Sequence, residues 1–357
     1  MKRFDVGIIG GGIIGATAAA FLAEAGRSVL LLERGGIGAG ASGRNSGVIQ
    51  HPFDPLFATL FYGSLDLYRE LASQDDDFAI PDSPAGLLLL SKDGSAVVEA
   101  TRTIAESAPD LSPEVVDPSA LATLEPALAE GLWACRLHTG YPVEPAGATH
   151  AWARRARRAG ATFALGKEAT VDMRNFDQVL IAAGPWTPAL VPGWSDAAPI
   201  VPIWGVVVST TLRDAPRHVL EEMGIARSGE TQEREFSLVT AGGRSSLGST
   251  FLPHEPDAPA LAPELIARGA QFVPEIGRVS IDGVRACARP VSRDGRPLIG
   301  LVDGRDNLFV CAGHGPWGIS TGPASALMVV RRMLGQAEVH PAFAARRFSG
   351  LTTTEFA

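Results

Sequence analysis

Cysteine, tyrosine and long apolar runs are scarce in this chain of 357 residues. The three cysteines, Cys135, Cys287 and Cys311, are an odd number at wide spacings. This pattern excludes a disulfide framework or a cysteine-based metal motif, and it favours a reducing cytoplasm. No uninterrupted apolar run approaches the roughly 20 residues of a membrane-spanning helix. The apolar N-terminus superficially resembles a signal peptide, but Asp5 and the glycine pattern argue against one. We therefore expect a soluble cytoplasmic protein with no metal and no membrane span.

Size and charge narrow the function classes further. The length is too great for one ordinary core and fits two domains. The formal net charge of −8 argues against a nucleic-acid partner. The basic run Arg154–Arg158 is the exception, and we interpret it as the solvated face of a helix. The 40 glycines indicate tight turns and backbone that approaches a ligand.

The first 33 residues carry a pattern typical of dinucleotide-binding proteins. Its parts, in order, are a buried strand Phe4–Ile9, a turn Gly10-x-Gly12-x-x-Gly15, a helix Ala16–Ala25 ending at Gly26, a strand Val29–Leu32 and the acid Glu33. In such a unit the first glycine allows a tight turn, the second lets a pyrophosphate approach the backbone, and the third lets the helix pack on the strand. The helix N-terminus attracts phosphate and the acid binds the ribose. The motif predicts a dinucleotide but leaves open which one.

Three further segments identify a family by resemblance. They are GGIGAGASGRNSGVIQHP at 35–52, DQVLIAAGPWT at 177–187, and CARPVSRDGRPLIG…LFVCAGHGPWGISTGPASA at 287–325. In sequence and in order they resemble the FAD-dependent D-amino-acid oxidase and glycine oxidase family, which includes sarcosine oxidase. The resemblance implies FAD as the cofactor. In the family the third segment forms a strand, here Leu308–Cys311, a glycine turn against the flavin, here Gly313–Gly318, and a helix, here Ile319–Met333.

The resemblance also implies which residues hold FAD. They are Gly10, Gly12, Ile13, Ile14, Gly15, Glu33, Arg34, Ala41, Ser42, Gly43, Arg44, Asn45, Ser46, Gly47, Ala183, Gly184, Trp186, Gly313, Gly315, Trp317, Gly318, Ile319 and Ser320. Cys287 aligns with the cysteine that sarcosine oxidase bonds covalently to FAD, but many noncovalent relatives have small residues there. We therefore prefer noncovalent FAD and treat Cys287 as a buried, inert thiol.

The implied fold is α/β, with a Rossmann-like FAD-binding domain interleaved with a smaller α+β substrate domain built on an antiparallel sheet. We expect residues 1–80, 145–198 and 285–345 in the first domain, 81–144 and 199–284 in the second, and a tail at 346–357. Other expected elements are strands at Ala85–Ser91, Pro202–Ser209 and Leu238–Thr250, a helix from 144–146 to Arg158, and surface loops at 109–119 and 253–263. The short stretch between Gly160 and Val179 indicates that part of the family's small β-meander is lost.

Arg289 matches the arginine that binds the substrate carboxylate in glycine and D-amino-acid oxidases, and a guanidinium fork suits two carboxylate oxygens. Gln50, Trp204 and Trp317 are further candidates for the substrate pocket, and Trp317 also for the catalytic group. No catalytic base stands out. His51 and His314 are candidates for tuning substrate protonation near pH 7, with packing as the open alternative. The tyrosine that relatives often place over the carboxylate has no counterpart, because none of the three tyrosines falls near 247–251.

The sequence therefore predicts an enzyme that oxidises the C–N bond of a small amino acid or secondary amine bearing a carboxylate, by hydride transfer to flavin N5. One alternative is a 2-hydroxy acid as substrate, because NSGVI resembles a loop of L-2-hydroxyglutarate dehydrogenases. Others are an NAD-dependent dehydrogenase and a flavin-binding subunit of a larger dehydrogenase. Ser320 stands where sarcosine oxidase has its oxygen-activating lysine, so the electron acceptor, O2 or a quinone or carrier, stays open. The sequence leaves open the stereochemistry, the pathway and whether the chain forms a homo-oligomer.

Overall fold

The computed structural model describes residues 3–168, 175–194, 199–223 and 234–348. Two sheets organise this part of the chain, one of six strands and one of eight, with a small two-stranded ribbon beside them. The strands are β1 Phe4–Ile9, β2 Val29–Glu33, β3 Val48–Ile49, β4 Leu87–Ser91, β5 Glu114–Val116, β6 Trp133–Leu137, β7 Tyr141–Pro142, β8 Thr162–Leu165, β9 Phe176–Ile181, β10 Ile200–Thr210, β11 Val219–Glu222, β12 Arg234–Ala241, β13 Arg244–Thr250, β14 Ile281–Ser292, β15 Leu298–Leu301 and β16 Leu308–Ala312. The helices are α1 Ile13–Glu24, α2 Ala41–Arg44, α3 Pro55–Ala72, α4 Gly94–Ser107, α5 Pro118–Leu124, α6 Gly147–Arg158, α7 Thr187–Leu190, α8 Ala258–Gly269 and α9 Gly318–Met333.

The six-stranded sheet has the order β15-β16-β9-β1-β2-β8. Its strands pair in parallel except for β15, which runs antiparallel to β16 at one edge. The parallel strands are apolar because helices cover the sheet and bury them. Helix α1 packs between α6 and α9, and its alanines let these helices approach closely. This arrangement confirms the predicted Rossmann-like part of the fold.

The first helix begins at Ile13, three residues before the predicted start, because Gly12 is extended and serves as its N-cap. The chain then leaves the helix through Gly26, whose φ is +79°. This left-handed conformation favours glycine and ends the helix where the sequence predicted. The glycine turn and the helix N-terminus therefore lie at the carboxyl end of β1, which is where α/β sheets bind ligands.

The eight-stranded sheet has the order β14-β10-β13-β12-β11-β4-β6-β5. It is antiparallel, as predicted, except that β4 and β11 pair in parallel. The predicted single strand 238–250 is wrong: it is a hairpin of β12 and β13. Gly242 and Gly243 form its turn with φ values of +56° and +77°, a conformation that suits a tight hairpin.

Both predicted surface loops contain regular structure. Residues 109–119 include β5 and the start of α5, and residues 253–263 include the start of α8. Helix α5 has Asp117 as its N-cap, and the carboxylate accepts hydrogen bonds from the first-turn amides. Proline is the first residue of α5 and the second residue of α8, within the first turn where its missing N–H is tolerated. In both segments the cluster of Pro and Asp therefore contains the start of a helix in addition to a loop.

The predicted domain division remains our proposal, and two features bear on it. Strand β14 pairs with β10 along its whole length, so the proposed boundary at 285 cuts a continuous strand. Residues Ala345–Phe348 form a 3₁₀ turn, and Arg347 binds Asp294 through two contacts of 2.7 and 2.8 Å. The start of the predicted tail is thus attached to the domain, while 349–357 lie outside the described residues. So do 169–174, within the stretch where a β-meander was expected to be shortened.

The basic run Arg154–Arg158 is not simply a solvated face. Arg154 donates to both oxygens of Asp75, at 2.9 and 2.6 Å. Arg155 is 9% exposed and pairs with Glu24 at 2.7 Å and with Glu70 at 2.8 Å. The run joins α6 to its neighbours, so the expectation of a solvated face is wrong for Arg155. Among the described residues, no helix is long and apolar enough to cross a membrane.

Candidate active site

A cavity of about 1470 Å³ lies where the carboxyl ends of β1, β2 and β9 face the eight-stranded sheet. One end is formed by the glycine turn after β1 and the turn after β9, and the other by inward-facing side chains of β10 to β14. A cavity of this size exceeds the usual range of small-ligand pockets, so it can hold a large cofactor together with a substrate.

Two glycines of the turn after β1 lie directly against neighbouring backbone, where any side chain would clash. Gly10 has a φ of +115°, and a Cβ there would lie 2.3 Å from the carbonyl oxygen of Ala182. A Cβ at Gly15 would lie 1.9 Å from the carbonyl oxygen of Gly10. The N-cap of α1 is Gly12, which has no side chain, and the first turn of this helix borders the cavity. The Glu33 carboxylate accepts hydrogen bonds from the amides of Gly11 and Gly35, both at 2.7 Å. The turn is therefore a cradle for a phosphate group next to a fixed acid.

The loop after β2 is held by its own side chains. Ser42 Oγ accepts from the amide of Ile13 at 3.0 Å, which joins the loop to the start of α1. Asn45 Oδ1 accepts from the amide of Gly47 at 2.8 Å, and Asn45 Nδ2 donates to the carbonyl of Ser42 at 2.9 Å. These bonds stabilise the short helix α2 and present its residues to the cavity.

Arg285, which sequence reasoning missed, fixes this loop from the other side. Its guanidinium donates to the carbonyls of Arg44 at 3.1 Å and Asn45 at 2.9 Å, and to Ser246 Oγ at 2.8 Å. It also contacts Ser209 Oγ. One side chain of β14 therefore connects the loop of residues 41–47, called the cofactor loop below, with three strands of the eight-stranded sheet. Its alternation with Cys287 and Arg289 on one face of a strand is the signal that could have found it.

The turn after β16 presents backbone and a buried histidine to the cavity. Gly313 and Gly315 have φ values of +87° and +54°, and no side chain caps α9. Ser320 Oγ accepts from the amide of Gln50 at 2.9 Å. Neither ring nitrogen of His314 has a partner among the described residues, although the residue is 0% exposed and lines the cavity.

Burial lowers the pKa of His314 to about 3, so its ring is neutral at pH 7 and carries one N–H without an acceptor. It therefore does not titrate near pH 7, contrary to the role considered from the sequence. A buried N–H needs an acceptor. A flavin, with ring nitrogens and carbonyl oxygens along its edge, supplies one. The glycine turn after β1, the N-termini of α1 and α9, and the His314 ring without a partner among the described residues together fit FAD.

The structure brings most of the predicted site residues to this one cavity. Those that line it are Gly10, Gly12, Ile13, Ile14, Glu33, Arg34, Ala41, Ser42, Arg44, Asn45, Ser46, Gly47, Gln50, Ala183, Gly184, Trp186, Trp204, Arg289, His314, Gly315, Trp317, Gly318, Ile319 and Ser320. Gly15, Gly43, Gly313 and His51 do not line it. The first two of these glycines pack against neighbouring backbone and Gly313 against side chains, so they shape the site from behind.

His51 lies behind the cavity wall. Its amide donates to Thr139 Oγ1 at 2.9 Å, and its Nδ1 accepts from the amide of Phe53 at 3.1 Å. Its ring packs edge-on against Phe61, with centroids 5.4 Å apart. Burial lowers the pKa of this histidine. Packing, the alternative left open by the sequence, accounts for its contacts.

Arg289 crosses from β14 over β10 to β13. Its Nη1 donates to the carbonyl of Thr250 at 2.9 Å, and its Nη2 donates to Ser249 Oγ. The guanidinium lies over the ring of Phe251, 4.5 Å from the centroid. Burial lowers its pKa, but a guanidinium stays charged at neutral pH. No carboxylate among the described residues lies within ion-pair distance of it.

Gly205 provides the space for this side chain, and a substitution there tests the geometry. A Cβ at Gly205 would lie 2.4 Å from Nη2 of Arg289. We expect Gly205→Ala to displace the guanidinium and raise KM for a carboxylate substrate about tenfold, with FAD content and kcat changed much less. Steady-state kinetics with the flavin content of each preparation would measure this. Gly283→Ala is the control, because nothing lies within 4 Å of a Cβ there. An unchanged KM would show that Arg289 does not bind the carboxylate from this position.

Two acids in the cavity were also missed by the sequence. Glu221 of β11 and Glu235 of β12 both line it. Burial raises the pKa of each to about 7; the charge of Glu235 also acts upward on Glu221, against the hydrogen bond from Gln50, and the charge of Glu222 also acts upward on Glu235. The nearby charge of Arg289 acts in the opposite direction on Glu235. The antiparallel pairing of the consecutive strands β11 and β12 brings these acids together.

The raised pKa values predict a stability effect. In the unfolded chain a glutamate ionises near pH 4.5, so between this pH and about 7 the folded protein binds the proton more tightly. The stability that comes from this proton is present below pH 4.5 and is lost as the pH rises through 7. We expect Glu221→Gln to raise the Tm by a few degrees at pH 8 and to leave it nearly unchanged at pH 5. Differential scanning fluorimetry at both pH values would measure the difference. The exposed Glu255, replaced by Gln, is the control; an equal Tm change at both pH values would contradict the burial of the Glu221 charge.

Cys287 lines the cavity on β14, next to the cofactor loop. Burial raises the pKa of its thiol, with Arg289, Arg285 and Arg44 acting weakly in the other direction. The nucleophilic form of cysteine is the thiolate, which burial disfavours. This environment supports noncovalent binding of FAD.

The fold and the site define a flavin-dependent oxidoreductase: a dinucleotide cradle on a Rossmann-like sheet opens into a cavity, and a second sheet across it carries the Arg289 guanidinium, which has no carboxylate partner in the described part of the chain. The match to known families agrees with this class. The family described as FAD dependent oxidoreductase (DAO) matches residues 5–332, and the chain belongs to it.

Similar proteins support the assignment to this family. A glycine oxidase of Bacillus licheniformis is 28% identical over 361 residues, covering 94% of both chains. The crystal structure of glycine oxidase from Geobacillus kaustophilus aligns with a TM-score of 0.84 at 23% identity, over 98% of this chain and all of that one. L-proline dehydrogenase from P. horikoshii aligns with a TM-score of 0.83 at 20% identity, over 97% of this chain and 98% of that one. The two structural matches show the fold.

Proposed function

We propose that the protein oxidises the C–N bond of an amino acid or secondary amine that carries a carboxylate. The observation that carries this proposal is the guanidinium of Arg289. It is a half-buried cation that faces the cavity with no carboxylate partner among the described residues. A buried charge without a partner is costly, so its natural complement is an anion of the ligand.

The hydrogen bonds of Arg289 leave it able to bind such an anion. A guanidinium has five N–H donors, and two of them bind Thr250 and Ser249. The remaining three suffice for a bidentate contact with two carboxylate oxygens. The contacts to β13 and to the Phe251 ring fix the orientation of the plane, so less entropy is lost when the substrate binds.

The remaining groups position the substrate against the cofactor. FAD, when bound, supplies the chemistry by accepting a hydride equivalent at N5 from the substrate carbon that carries the nitrogen. The cradle at Gly10 and Gly12 would hold its pyrophosphate and Glu33 its ribose. Trp204 and Trp317 are apolar walls that exclude water from the reacting carbon. No base among these groups is needed, provided the amine binds in its neutral form.

Anaerobic mixing with a substrate panel tests the proposal. The panel contains D- and L-amino acids, N-methyl amino acids and 2-hydroxy acids, and the measurement is loss of the oxidised flavin's visible absorbance. Bleaching by a carboxylate-bearing amine supports the proposal, and readmitting air then shows whether O2 accepts the electrons. Bleaching by 2-hydroxy acids alone would replace the amine by a hydroxy acid as substrate. No bleaching by any member would point to a subunit that needs a partner.

A further inference from the structure

The cavity that contains Arg289 also contains a cluster of hydrogen-bond acceptors. Gln50 follows the cofactor loop, and Glu221 and Glu235 lie on the neighbouring strands β11 and β12. Glu221 pairs with Ser237 in the register of these strands, and Glu235 lies two residues before Ser237 on the same strand. All three side chains line the cavity.

The hydrogen bonds of Gln50 show that this cluster lacks donors. Its Nε2 donates to both carboxylate oxygens of Glu221, at 3.2 and 3.3 Å, which fixes the amide's orientation. The amide oxygen Oε1 then has no partner among the described residues, although Gln50 is only 2% exposed. The Oε2 of Glu235 is likewise buried without a partner in the described part of the chain, and this residue is 9% exposed.

The neighbouring acid Glu222 behaves differently. Its carboxylate accepts from Arg268 Nε at 3.1 Å and from the amide of Phe236 at 3.2 Å. Its charge is therefore compensated within the protein. Glu221 and Glu235 have no such cation within ion-pair distance among the described residues. Carboxylates and an amide oxygen are acceptors only, so the group that satisfies them must bring several N–H donors, and a positive charge to balance them.

The position of Glu221, which is hydrogen-bonded to Gln50, separates it from the group that binds the carboxylate. Arg289 ends at β13, where it binds the carbonyl of Thr250. Glu221 lies two strands further along the sheet, in the order β13-β12-β11, whereas Glu235 lies on β12 between them, next to the pair Arg234–Thr250. Neighbouring strands are about 4.8 Å apart, so Glu221 and the guanidinium of Arg289 are separated by roughly 10 Å. The α-amine of an amino acid lies next to its own carboxylate and does not span this distance, whereas a long cationic side chain does.

We propose that Gln50, Glu221 and Glu235 form a cation subsite, and that the substrate carries a distal ammonium or guanidinium group in addition to the carboxylate held by Arg289. The substrate class is then an amino acid with a basic side chain of about three to five atoms, or an amine of the same length with a carboxylate at its other end. This inference rests on the proposed function, because it uses the same cavity and the same role of Arg289.

A binding experiment that requires no turnover tests the subsite directly. The probes are 6-aminohexanoate, which has a carboxylate and a distal ammonium group, and hexanoate, which lacks the ammonium. Their Kd values for the oxidised holoenzyme are measured at pH 8 from the perturbation of the flavin spectrum. We expect 6-aminohexanoate to bind at least tenfold more tightly than hexanoate. Glu221→Gln and Glu235→Gln should each reduce this ratio to within about threefold of one.

Controls and outcomes separate the two proposals. Glu255→Gln removes one negative charge from an exposed position on the cavity rim and should keep the wild-type ratio. Equal Kd values for the two probes in the wild-type enzyme overturn the cation subsite but leave the proposed function standing. If neither probe binds, the role of Arg289 fails and the proposed function fails with it. The wild-type comparison needs no variant, so it holds even if a Gln variant loses FAD.

Turnover gives an independent comparison. Arginine and citrulline have side chains of equal length and differ in the charge at the end. Lysine and norleucine form a second such pair, with side chains of nearly equal length. We expect kcat/KM for the cationic member of each pair, in the reactive enantiomer, to exceed that for the neutral member at least tenfold. A preference for the neutral members would contradict the subsite, whatever the absolute rates.

Discussion

Replacing Arg289 by alanine is expected to raise KM for a carboxylate-bearing substrate by about 30-fold to several-thousand-fold. Truncating one partner of a buried, hydrogen-bonded charge pair costs about 2–5 kcal/mol, or roughly 30- to several-thousand-fold in affinity. The loss should fall mainly on KM, since the carboxylate is bound before and during the reaction. Arg289→Lys keeps the charge but loses the planar fork, so we expect an intermediate loss. Steady-state kinetics under air or with an artificial acceptor would measure both variants.

The design of this experiment separates binding from folding. Arg305 is an exposed arginine outside the cavity, so Arg305→Ala serves as the matched control. The flavin content of each variant should equal that of the wild type, because Arg289 contacts β13 and not the dinucleotide cradle. An Arg289→Ala enzyme with unchanged KM would reject its role in substrate binding and leave the family assignment untouched.

The second large effect concerns the cofactor. Gly10→Ala should reduce FAD affinity at least a hundredfold, so that the purified variant is nearly colourless. Two strains act together at this position: a φ of +115°, which alanine rarely adopts, and a Cβ that would lie 2.3 Å from the carbonyl oxygen of Ala182. The neighbouring atom is backbone and cannot rotate away, so the turn itself must move and the cradle opens. Visible absorbance per protein and titration of the apoprotein with FAD would measure the loss.

Gly36→Ala is the control for this variant. It lies in the next glycine-rich stretch, is exposed, and would have nothing within 4 Å of its new Cβ. It should retain FAD. If Gly10→Ala retains FAD with wild-type affinity while its circular dichroism spectrum is unchanged, the turn does not serve as the phosphate cradle.

The parts of the site that could be predicted are those encoded within a short stretch of chain. The glycine turn, Glu33 and the loop at 41–47 depend on neighbouring residues, and the chain there folds as the motif indicates. Arg289 was found through a segment that the family keeps together. Gln50 and His51 show the limit of this reasoning: they are adjacent, yet one lines the cavity and the other lies behind its wall. Which of two neighbouring residues faces a ligand is decided by the register of the chain against distant elements.

The residues that were missed depend on long-range strand pairing. Glu221 and Glu235 lie near each other because β11 pairs with β12 in a register that places Glu221 opposite Ser237. The absence of a side chain at Gly205 can be explained only when it is known that Arg289, on the neighbouring strand β14, lies across this position. A sequence pattern of local period cannot encode such pairings, since each requires knowing which strands are neighbours.

The four contacts of Arg285 have a thermodynamic consequence. This side chain ties the loop at 41–47 to strands β10 and β13 of the sheet that also carries Arg289. A ligand that orders the loop therefore also orders that side of the pocket. The entropy lost on ordering is then shared between the binding of FAD and the binding of the substrate. By reciprocity, a carboxylate ligand must tighten FAD binding by the same factor by which FAD tightens the binding of the ligand. The enzyme's hold on its cofactor would then depend on how much substrate is present.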